Sequence, residues 1–258
     1  EGGSGPWHVD AEMRPIRRDF AVAAVDNKIH ILGGMTEKGK AIADHDIFDT
    51  ETRTWEKGPK LPVPSAGHAA ACVDGVLFVL GGLRGWFLGS TIRDFIDPVT
   101  PDLFLRASRT TRAVYALPLN GTKWLRSHNM PTSRSYHCAE VLNGRVHVVG
   151  GHRRYPLGTA EPLAAHESYL VNAGRWEHRT PLAIALAHSG ATAVAGQLHI
   201  IGGQGWDGPT AQHFAYTPRT DSWEPSVPMD DTRCDPGVTE CFGEVYVLGG
   251  WASDDPTS

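Results

Sequence analysis

The sequence predicts an all-β fold built from repeated four-stranded sheets, and two observations carry that prediction. A Gly-Gly pair closes a short apolar run five times along the chain, and a tryptophan stands 26 positions before each pair. The pairs are Gly33-Gly34, Gly81-Gly82, Gly150-Gly151, Gly202-Gly203 and Gly249-Gly250, and the tryptophans are Trp7, Trp55, Trp124, Trp176 and Trp223. Self-similarity at a period of roughly 50 residues indicates stacked or radially arranged units.

Each repeat is predicted to form four β-strands, labelled a to d, because runs of β-branched, aromatic and small residues alternate with turn signals. In the third repeat, strand a covers about 136–142 and strand b covers 145–149. The turn between them is Asn143-Gly144, a dipeptide that suits the positive φ of a tight hairpin. Strand c ends near 169–171, and strand d carries Trp176. Each repeat is therefore an antiparallel sheet.

A sheet with two apolar faces is not stable alone in water. Packing such sheets face to face around an axis buries both faces and leaves only short edges, which is the propeller arrangement. Strand a consists of small residues, as in 21–24 and 69–71, which fits the crowding expected near an axis. The glycine pairs are predicted to be structural, because glycine allows close backbone approach and unusual dihedrals.

The third repeat resembles the kelch motif. The residues that carry this resemblance are Arg134, His137, Asn143-Gly144, Val146, His147, Val148, Val149, Gly150-Gly151, Tyr169 and Trp176. The string recurs four to five times and covers nearly the whole chain. The resemblance implies a kelch-type β-propeller, a frame that hosts adaptors, scaffolds and a few enzymes, so it does not by itself assign an activity.

We predict one domain over residues 1–258, with five blades closed by pairing of the N- and C-terminal strands. The units are about 17–58, 65–127, 134–179, 186–226, and 233–258 together with 1–10. In this arrangement Trp7 supplies strand d of the last blade, a closure that the kelch resemblance implies. The alternative is a six-bladed ring from which one unit has been removed.

Composition narrows the possible partners. The formal net charge is −5, and the longest basic run is His152-Arg153-Arg154, so nucleic acid is not expected. No apolar stretch reaches 18 residues, which predicts no membrane span. The four cysteines and thirteen histidines lack metal-binding spacing, so we expect no metal and no cofactor. Free core thiols favour a reducing compartment and a cytoplasmic location. The isolated domain is expected to be a monomer.

One face of the ring is predicted to bind ligands. In an antiparallel pair, the start of strand a and the end of strand b lie at one edge. The loop after Gly82, about 83–111, is some twenty residues longer than its equivalents, and long insertions in repeat proteins map to the binding face. The aromatic residues that follow the glycine pairs are Trp86, Tyr155, Trp206 and Trp251. They are candidate ligand contacts, although packing between blades is the alternative.

Polar residues recur just before strand a. Sixteen positions before a glycine pair stand Arg17, Arg134 and Arg233, and fourteen positions before stand Asp19, Tyr136, His188 and Asp235. The kelch resemblance implies that these two registers line a central pocket for an acidic or peptide ligand. Arg17, Arg134, Tyr136 and Arg233 are therefore predicted to bind ligand. A purely internal arginine–aspartate ring is the alternative.

Two functions remain open from the sequence. We favour a binding module that recognises a protein segment or a small ligand bearing a carboxylate. The alternative is a small-molecule isomerase or lyase in which His188, with Asp19 or Asp235, moves protons while an arginine fixes the substrate. These three residues are the candidate catalytic groups.

Overall fold

The structure is a computed structural model that describes residues 12–13, 15–85, 108–155 and 159–252. Short β-strands dominate these residues, with one 3-10 turn at Val171–Ala173. In chain order the strands are β1 (Arg17–Arg18), β2 (Ala21–Val25), β3 (Lys28–Leu32), β4 (Met35–Thr36), β5 (His45–Asp49), β6 (Thr54–Lys57), β7 (Ala69–Val73), β8 (Val76–Leu80), β9 (Leu83–Gly85), β10 (Ser108–Thr110), β11 (Val114–Pro118), β12 (Leu125–Arg126), β13 (Cys138–Leu142), β14 (Arg145–Val149), β15 (His152–Arg154), β16 (Ala160–Pro162), β17 (His166–Leu170), β18 (Arg175–Arg179), β19 (Gly190–Val194), β20 (Gln197–Ile201), β21 (Gln204–Gly205), β22 (Gly208–Pro209), β23 (His213–Thr217), β24 (Ser222–Pro225), β25 (Gly237–Cys241) and β26 (Glu244–Leu248).

Four antiparallel four-stranded sheets form the blades of a propeller, as the sequence predicts. Blade 1 has the order β2-β3-β5-β6, blade 2 β7-β8-β11-β12, blade 3 β13-β14-β17-β18 and blade 4 β19-β20-β23-β24. A fifth sheet contains only β25 and β26 within the described residues. Asp26, Asp74, Asn143, Ala195 and Phe242 all have φ between 51° and 55° in the tight turns between strands a and b, so the left-handed conformation tolerates several residue types there.

The hydrophobic cores lie between the blades. The innermost strands follow one another as β2, β7, β13, β19 and β25, and each packs against the next. The core between blades 2 and 3, for example, joins Phe78 and Val114 to Val146 and Tyr169. Small side chains on strand a make this close approach possible. The apolar residues of each sheet are therefore buried only when a neighbouring sheet is present.

The glycine pairs end strand b where backbones crowd together. Gly151 has φ +93°, and a Cβ built on it would lie 2.7 Å from the carbonyl oxygen of Ser135. Gly81 has φ +64°, and its Cβ would lie 2.6 Å from the carbonyl oxygen of Arg134 in the next repeat. Both the backbone conformation and the space therefore require glycine.

A tryptophan from each later blade joins it to the blade before. Trp124 Nε1 donates to the Pro59 carbonyl at 2.8 Å, Trp176 Nε1 to the His128 carbonyl at 3.0 Å and Trp223 Nε1 to the Thr180 carbonyl at 2.9 Å. In each case the acceptor lies four residues after the tryptophan of the preceding blade. The Nε1 of Trp55, in blade 1, is buried and has no hydrogen-bond partner among the residues that the structure describes.

The ring stays open between its first and last sheets in the described part of the chain. There, β25 packs on β19 and β2 packs on β7, but β25 and β2 share no comparable contact. The closure that we predicted depends on Trp7, which lies outside the described residues. The propeller fold is thus confirmed, whereas the five-bladed closure stays a prediction beside its six-bladed alternative.

Candidate functional site

The residues before strand a and those after the glycine pairs lie on one face, which we call the loop face. Backbone bridges join them in every repeat: Arg18 pairs with Met35, and Ala66 with Leu83, Ser135 with His152, Ala187 with Gln204 and Cys234 with Trp251. The turns that join a to b and c to d lie at the opposite end of the strands, which we call the turn face. The antiparallel order of the strands predicts this separation.

Pairs of short antiparallel strands carry arginines on the loop face. In the hairpin of β9 and β10, Arg84 stands directly opposite Arg109. Neither has a carboxylate partner among the described residues, and the Arg84 guanidinium instead donates to the Tyr115 hydroxyl at 2.6 Å. The neighbouring hairpin carries Arg153 and Arg154 on β15, and Thr110 Oγ1 links the two hairpins through the Arg154 backbone at 3.2 Å. These arginines form a positive strip.

Two of the predicted aromatic contacts are exposed on this face. Trp206 lies in the turn between β21 and β22 and is 71% exposed, and Tyr155 follows β15 and is 57% exposed. Trp251 is half-buried and its backbone is bridged to Cys234. Trp86, and residues 86–107 of the long loop, lie outside the described residues. Of the predicted aromatic contacts that the structure describes, Trp206 and Tyr155 are therefore the accessible ones.

A chain of backbone hydrogen bonds runs from repeat to repeat beside the inner strands at the loop face; we call it the axial ladder. Each N–H donates to the carbonyl of the equivalent residue in the preceding repeat: Gly67 to Asp19 at 2.8 Å, Tyr136 to Gly67 at 2.7 Å, His188 to Tyr136 at 3.0 Å and Asp235 to His188 at 2.8 Å. All five residues have φ between 50° and 60°. For Tyr136 and His188 this conformation is strained, and strain of this kind concentrates at functional sites.

The ladder brings the predicted polar side chains together. The rings of Tyr136 and His188 stack with their centroids 4.2 Å apart. His188 Nδ1 lies 2.8 Å from the carboxylate of Asp235, and the His152 ring stands 5.1 Å from His188. Asp19 completes the group through its electrostatic interaction with Tyr136, His188 and Asp235. The candidate catalytic residues thus share one cluster, the axial cluster, made of Asp19, Tyr136, His152, His188 and Asp235.

Partial burial sets the protonation of this cluster. Burial raises the pKa of the Asp19 carboxyl, and the nearby Asp235 adds to that effect while the Arg18 guanidinium, 3.0 Å away, opposes it. Burial also raises the pKa of the Tyr136 hydroxyl and lowers the pKa of His152 to about 4. Tyr136 and His152 are therefore neutral at physiological pH and act as hydrogen-bonding groups.

The arginines predicted to line the pocket do not reach it. Arg134 is fully buried inside blade 3, where it lies 3.0 Å from Glu167 and donates to the Gly150 and Ala165 carbonyls. Arg17 is buried in blade 1 and lies 2.5 Å from Asp46. The prediction that these two arginines contact ligand is therefore corrected, because each already neutralises a carboxylate of its own blade. Arg233, which is half-buried, donates to the Gly249 carbonyl at 2.9 Å.

Sequence reasoning missed the carboxylates that hold these arginines. Asp46 and Glu167 each stand nine positions before the tryptophan of their repeat, a regularity that could have identified them. It also missed Arg84 and Arg153, each two positions after the second glycine of a pair. Alignment on the glycine pair alone favoured residues before strand a, and therefore overlooked both sets.

In the described ranges, the histidine, cysteine and acidic side chains form no group of three able to hold a metal ion. The same ranges contain no helix of the length and apolar character that a membrane crossing requires. Three histidine pairs join strands b and c within the blades: His30 with His45 and His147 with His166 are buried, and His199 with His213 is half-buried.

Comparisons with known proteins bear on the family. Residues 16–62 match the model of the Kelch motif. The chain is 24% identical over 203 residues to Kelch-like protein 36 of Rattus norvegicus, covering 78% of this chain and 30% of that protein. It is 27% identical to Kelch-like protein 34 of Homo sapiens, covering 78% and 28%, and 26% identical to Beta-scruin of Limulus polyphemus, covering 76% and 20%.

A solved structure supports the fold independently. The structure of YjhT superposes with a TM-score of 0.76 at 16% identity, covering 94% of this chain and 75% of that one. At this identity the likeness shows the fold alone. The chain spans at most about a third of the length of the relatives named above, since it covers 20% to 30% of each.

Proposed function

The chain belongs to the kelch-repeat β-propellers, and from that premise we propose that it is a protein-binding module that holds an acidic segment on its loop face. The observation that carries the proposal is the opposed pair Arg84 and Arg109. Like charges directly opposite on a hairpin destabilise it. A negatively charged partner removes that cost.

The rest of the positive strip supports the same partner. Arg153 and Arg154 extend the strip onto the adjacent hairpin, and Arg18 is exposed beside the axial cluster. Arginine binds carboxylates through its planar fork of donors, so a strip of arginines suits a segment with several acidic side chains. Because the chain as a whole has a net charge of −5, the attraction of an acidic segment depends on this local strip and not on the overall charge.

Exposed aromatic residues supply the remaining contact area. Trp206 and Tyr155 present large rings at small entropic cost, and such residues dominate the binding energy of many interfaces. The proposed partner is therefore an extended acidic segment that also carries apolar side chains. A small ligand bearing one carboxylate would contact only the part of this surface next to the axial cluster.

Substitutions on the loop face test the proposal. A fluorescein-labelled 15-residue peptide that alternates glutamate with leucine is titrated against the protein by anisotropy. Trp206→Ala and Arg109→Glu are each expected to weaken binding by about tenfold or more, because they remove an aromatic anchor or reverse a charge. A peptide with glutamine in place of glutamate should bind weakly to the unaltered protein.

Matched control substitutions lie on the turn face. Phe242 is 97% exposed in the turn between β25 and β26, and Arg219 is exposed between β23 and β24. Phe242→Ala and Arg219→Glu are expected to leave peptide affinity unchanged. Equal losses from loop-face and turn-face substitutions, or equal binding of the glutamine peptide, would contradict the proposal.

An isomerase or lyase is the second candidate, because the structure places His188 against Asp235 at 2.8 Å. A carboxylate that accepts from Nδ1 leaves Nε2 as a proton acceptor, and Asp19 and Tyr136 stand nearby. The alternative predicts exchange of carbon-bound protons when small hydroxy acids or sugar acids are incubated with the protein in D2O and followed by NMR. His188→Gln should abolish that exchange, while Arg109→Glu should not. Absence of exchange across the panel would reject this candidate.

A further inference from the structure

Three arginines of blade 3 surround one carboxylate. Arg145 Nη1 lies 2.6 Å from one oxygen of Glu177, and Arg179 Nη2 lies 2.5 Å from the same oxygen. Arg175 Nη2 lies 2.9 Å from the other oxygen. Hydrogen bonds from Arg145 and Arg175 lower the pKa of the Glu177 carboxyl, which is therefore ionised at neutral pH. We call these four residues the arginine cluster.

The fold of a blade requires at most one of these arginines. In blade 1 the equivalent of the pair Arg145 and Glu177 is Lys28 with Glu56, whose charged groups lie 2.5 Å apart. The registers of the two other arginines hold uncharged residues in blade 1, namely Thr54 and Gly58. Blade 2 has no charge in either register of the pair, which hold Val76 and Leu125. Complete blades thus form with one such ion pair or with none, so two arginines of the cluster are additional to what the sheet requires.

A carboxylate of blade 4 lies beside the cluster and does not cancel its charge. Asp221 interacts electrostatically with Arg179. Its Oδ1, however, accepts from the Tyr216 hydroxyl at 2.6 Å and from the Thr180 backbone N–H at 3.3 Å. Within the described part of the chain, three guanidinium groups therefore face two carboxylates, and the cluster keeps an excess of positive charge.

The guanidinium groups are held in place by contacts within the blade. The side chains of Arg145 and Arg179 are only 28% and 21% exposed, and Arg179 Nε donates to the buried Ser168 hydroxyl at 2.9 Å. Arg175 is 66% exposed and borders the solvent. Each guanidinium has a fork of several N–H donors, of which Arg145 and Arg175 direct one to Glu177. Donors fixed in this way lose little entropy when a ligand binds.

We propose that the arginine cluster binds a phosphoryl group. Such a group carries about −1.5 to −2 charges at neutral pH and has three strongly accepting oxygens. Each of the three arginines can donate to a different oxygen, whereas a carboxylate has one oxygen fewer and half the charge. The excess positive charge of the cluster therefore favours a phosphoryl group over a carboxylate.

The cluster opens at the turn face, away from the positive strip. Arg145 is the first residue of β14, directly after the turn between strands a and b. Arg175 is the first residue of β18, directly after Gly174 in the turn between strands c and d. The positive strip lies at the opposite end of the strands. Phosphoryl binding here is thus additional to the loop-face binding proposed above, and neither requires the other.

The experiment titrates two phosphorylated probes against the whole chain and follows binding by phosphorus NMR at fixed ionic strength. One probe is inorganic phosphate, and the other is a peptide of glycine and serine with one central phosphoserine. Arg175→Ala is expected to weaken binding of both by about tenfold, because a charge-assisted contact is lost. Lys123→Ala is the matched control, since Lys123 is exposed in the same register of blade 2, where Leu125 replaces the glutamate. The control should bind both probes like the unaltered protein.

The two probes also identify the source of the phosphoryl group. Tighter binding of the phosphoserine peptide would support the proposal with a phosphorylated polypeptide as the ligand, and equal binding would support it with free phosphate. The same peptide without phosphate should displace neither probe. Displacement by that peptide, or no binding of either probe, would overturn the proposal.

A second variant separates ligand binding from a purely structural ion network. Glu177→Gln removes the competing negative charge and should tighten binding of both probes, whereas a structural network predicts lower stability without any gain in affinity. Arg109→Glu distinguishes the two faces, because it weakens loop-face binding and should leave phosphate affinity unchanged. Phosphate binding that is indifferent to Arg175→Ala, or that Arg109→Glu abolishes, would refute the turn-face site without affecting the loop-face proposal.

Discussion

Replacing Glu167 by alanine is expected to destabilise the protein by about 3–5 kcal/mol, the typical cost of leaving one charge of a buried ion pair without its partner. Glu167 and Arg134 both have fully buried side chains. Glu167 also accepts a hydrogen bond from Thr132 Oγ1 at 2.5 Å. The free energy of unfolding in urea, followed by tryptophan fluorescence, measures the effect. Glu224→Ala, at an exposed position of β24, should change it by less than about 0.5 kcal/mol.

The chain itself suggests a rescue. Blade 4 holds Leu186 and Phe214 in the registers that Arg134 and Glu167 occupy in blade 3. The double replacement Arg134→Leu with Glu167→Phe is therefore expected to recover most of the lost stability, since apolar residues often replace a buried ion pair without loss. A double variant no more stable than Glu167→Ala alone would show that the two registers are not equivalent.

Acid is expected to unfold the protein well before its carboxylates protonate, because paired histidines are buried in the blades. Nδ1 and Nε2 of neighbouring rings lie 2.9 Å apart for His30 with His45 and for His147 with His166. The Nδ1 of His45 is 3.3 Å from the Pro59 carbonyl. A carbonyl only accepts, so that Nδ1 carries a hydrogen, and the Nε2 of His45 accepts from the Nδ1 of His30. This arrangement satisfies both rings when they are neutral, whereas charging both would set two N–H donors against each other.

Stability is expected to fall as the pH is lowered, because the folded protein holds these histidines neutral. Burial lowers the pKa to about 4 for His45 and His147 and to about 3 for His166, which is also repelled by His147. The unfolded chain binds these protons near pH 6.5, so the stability is fully present above that pH. It falls by about 1.4 kcal/mol per pH unit for each such histidine down to the folded value. At pH 5 these three histidines together cost about 6 kcal/mol.

Urea unfolding at intervals from pH 7 to pH 4.5 measures this slope. Blade 2 supplies the comparison, because Phe78 and Val114 occupy the registers of His147 and His166. The variant His147→Phe with His166→Val should show a shallower slope than the unaltered protein. His178→Gln is a surface control, since the His178 side chain is 78% exposed. Equal slopes in all three proteins would rule out the buried histidines as the cause.

The repeat pattern predicted the fold because its signals are local. The glycine pairs require positive φ and close approach, and the tryptophans mark strand d, so both are visible without tertiary information. The closure through Trp7 is different, because it depends on how the two ends of the chain meet. No local pattern determines that meeting, and the described residues show no packing of β25 on β2 comparable to that between the other neighbouring inner strands.

The site was predicted in part. The register fourteen positions before the glycine pair brought Asp19, Tyr136, His188 and Asp235 to the axis, because the axial ladder depends only on equivalent backbone positions. The register sixteen positions before it was assigned to ligand binding, yet Arg134 is turned into its blade by Glu167. Side-chain direction depends on a carboxylate some thirty residues away in sequence. An alignment that compares only the residues at one position of each repeat cannot reveal such a partner.

The tryptophan contact between blades has a consequence for how such a molecule changes over evolution. Trp124, Trp176 and Trp223 all reach the same carbonyl position of the repeat before them. These three junctions therefore share one contact, whatever apolar residues fill the core between the blades. Duplicating or deleting one whole repeat keeps this contact at the junction that is newly formed, so the size of the ring can change in a single genetic step without loss of it.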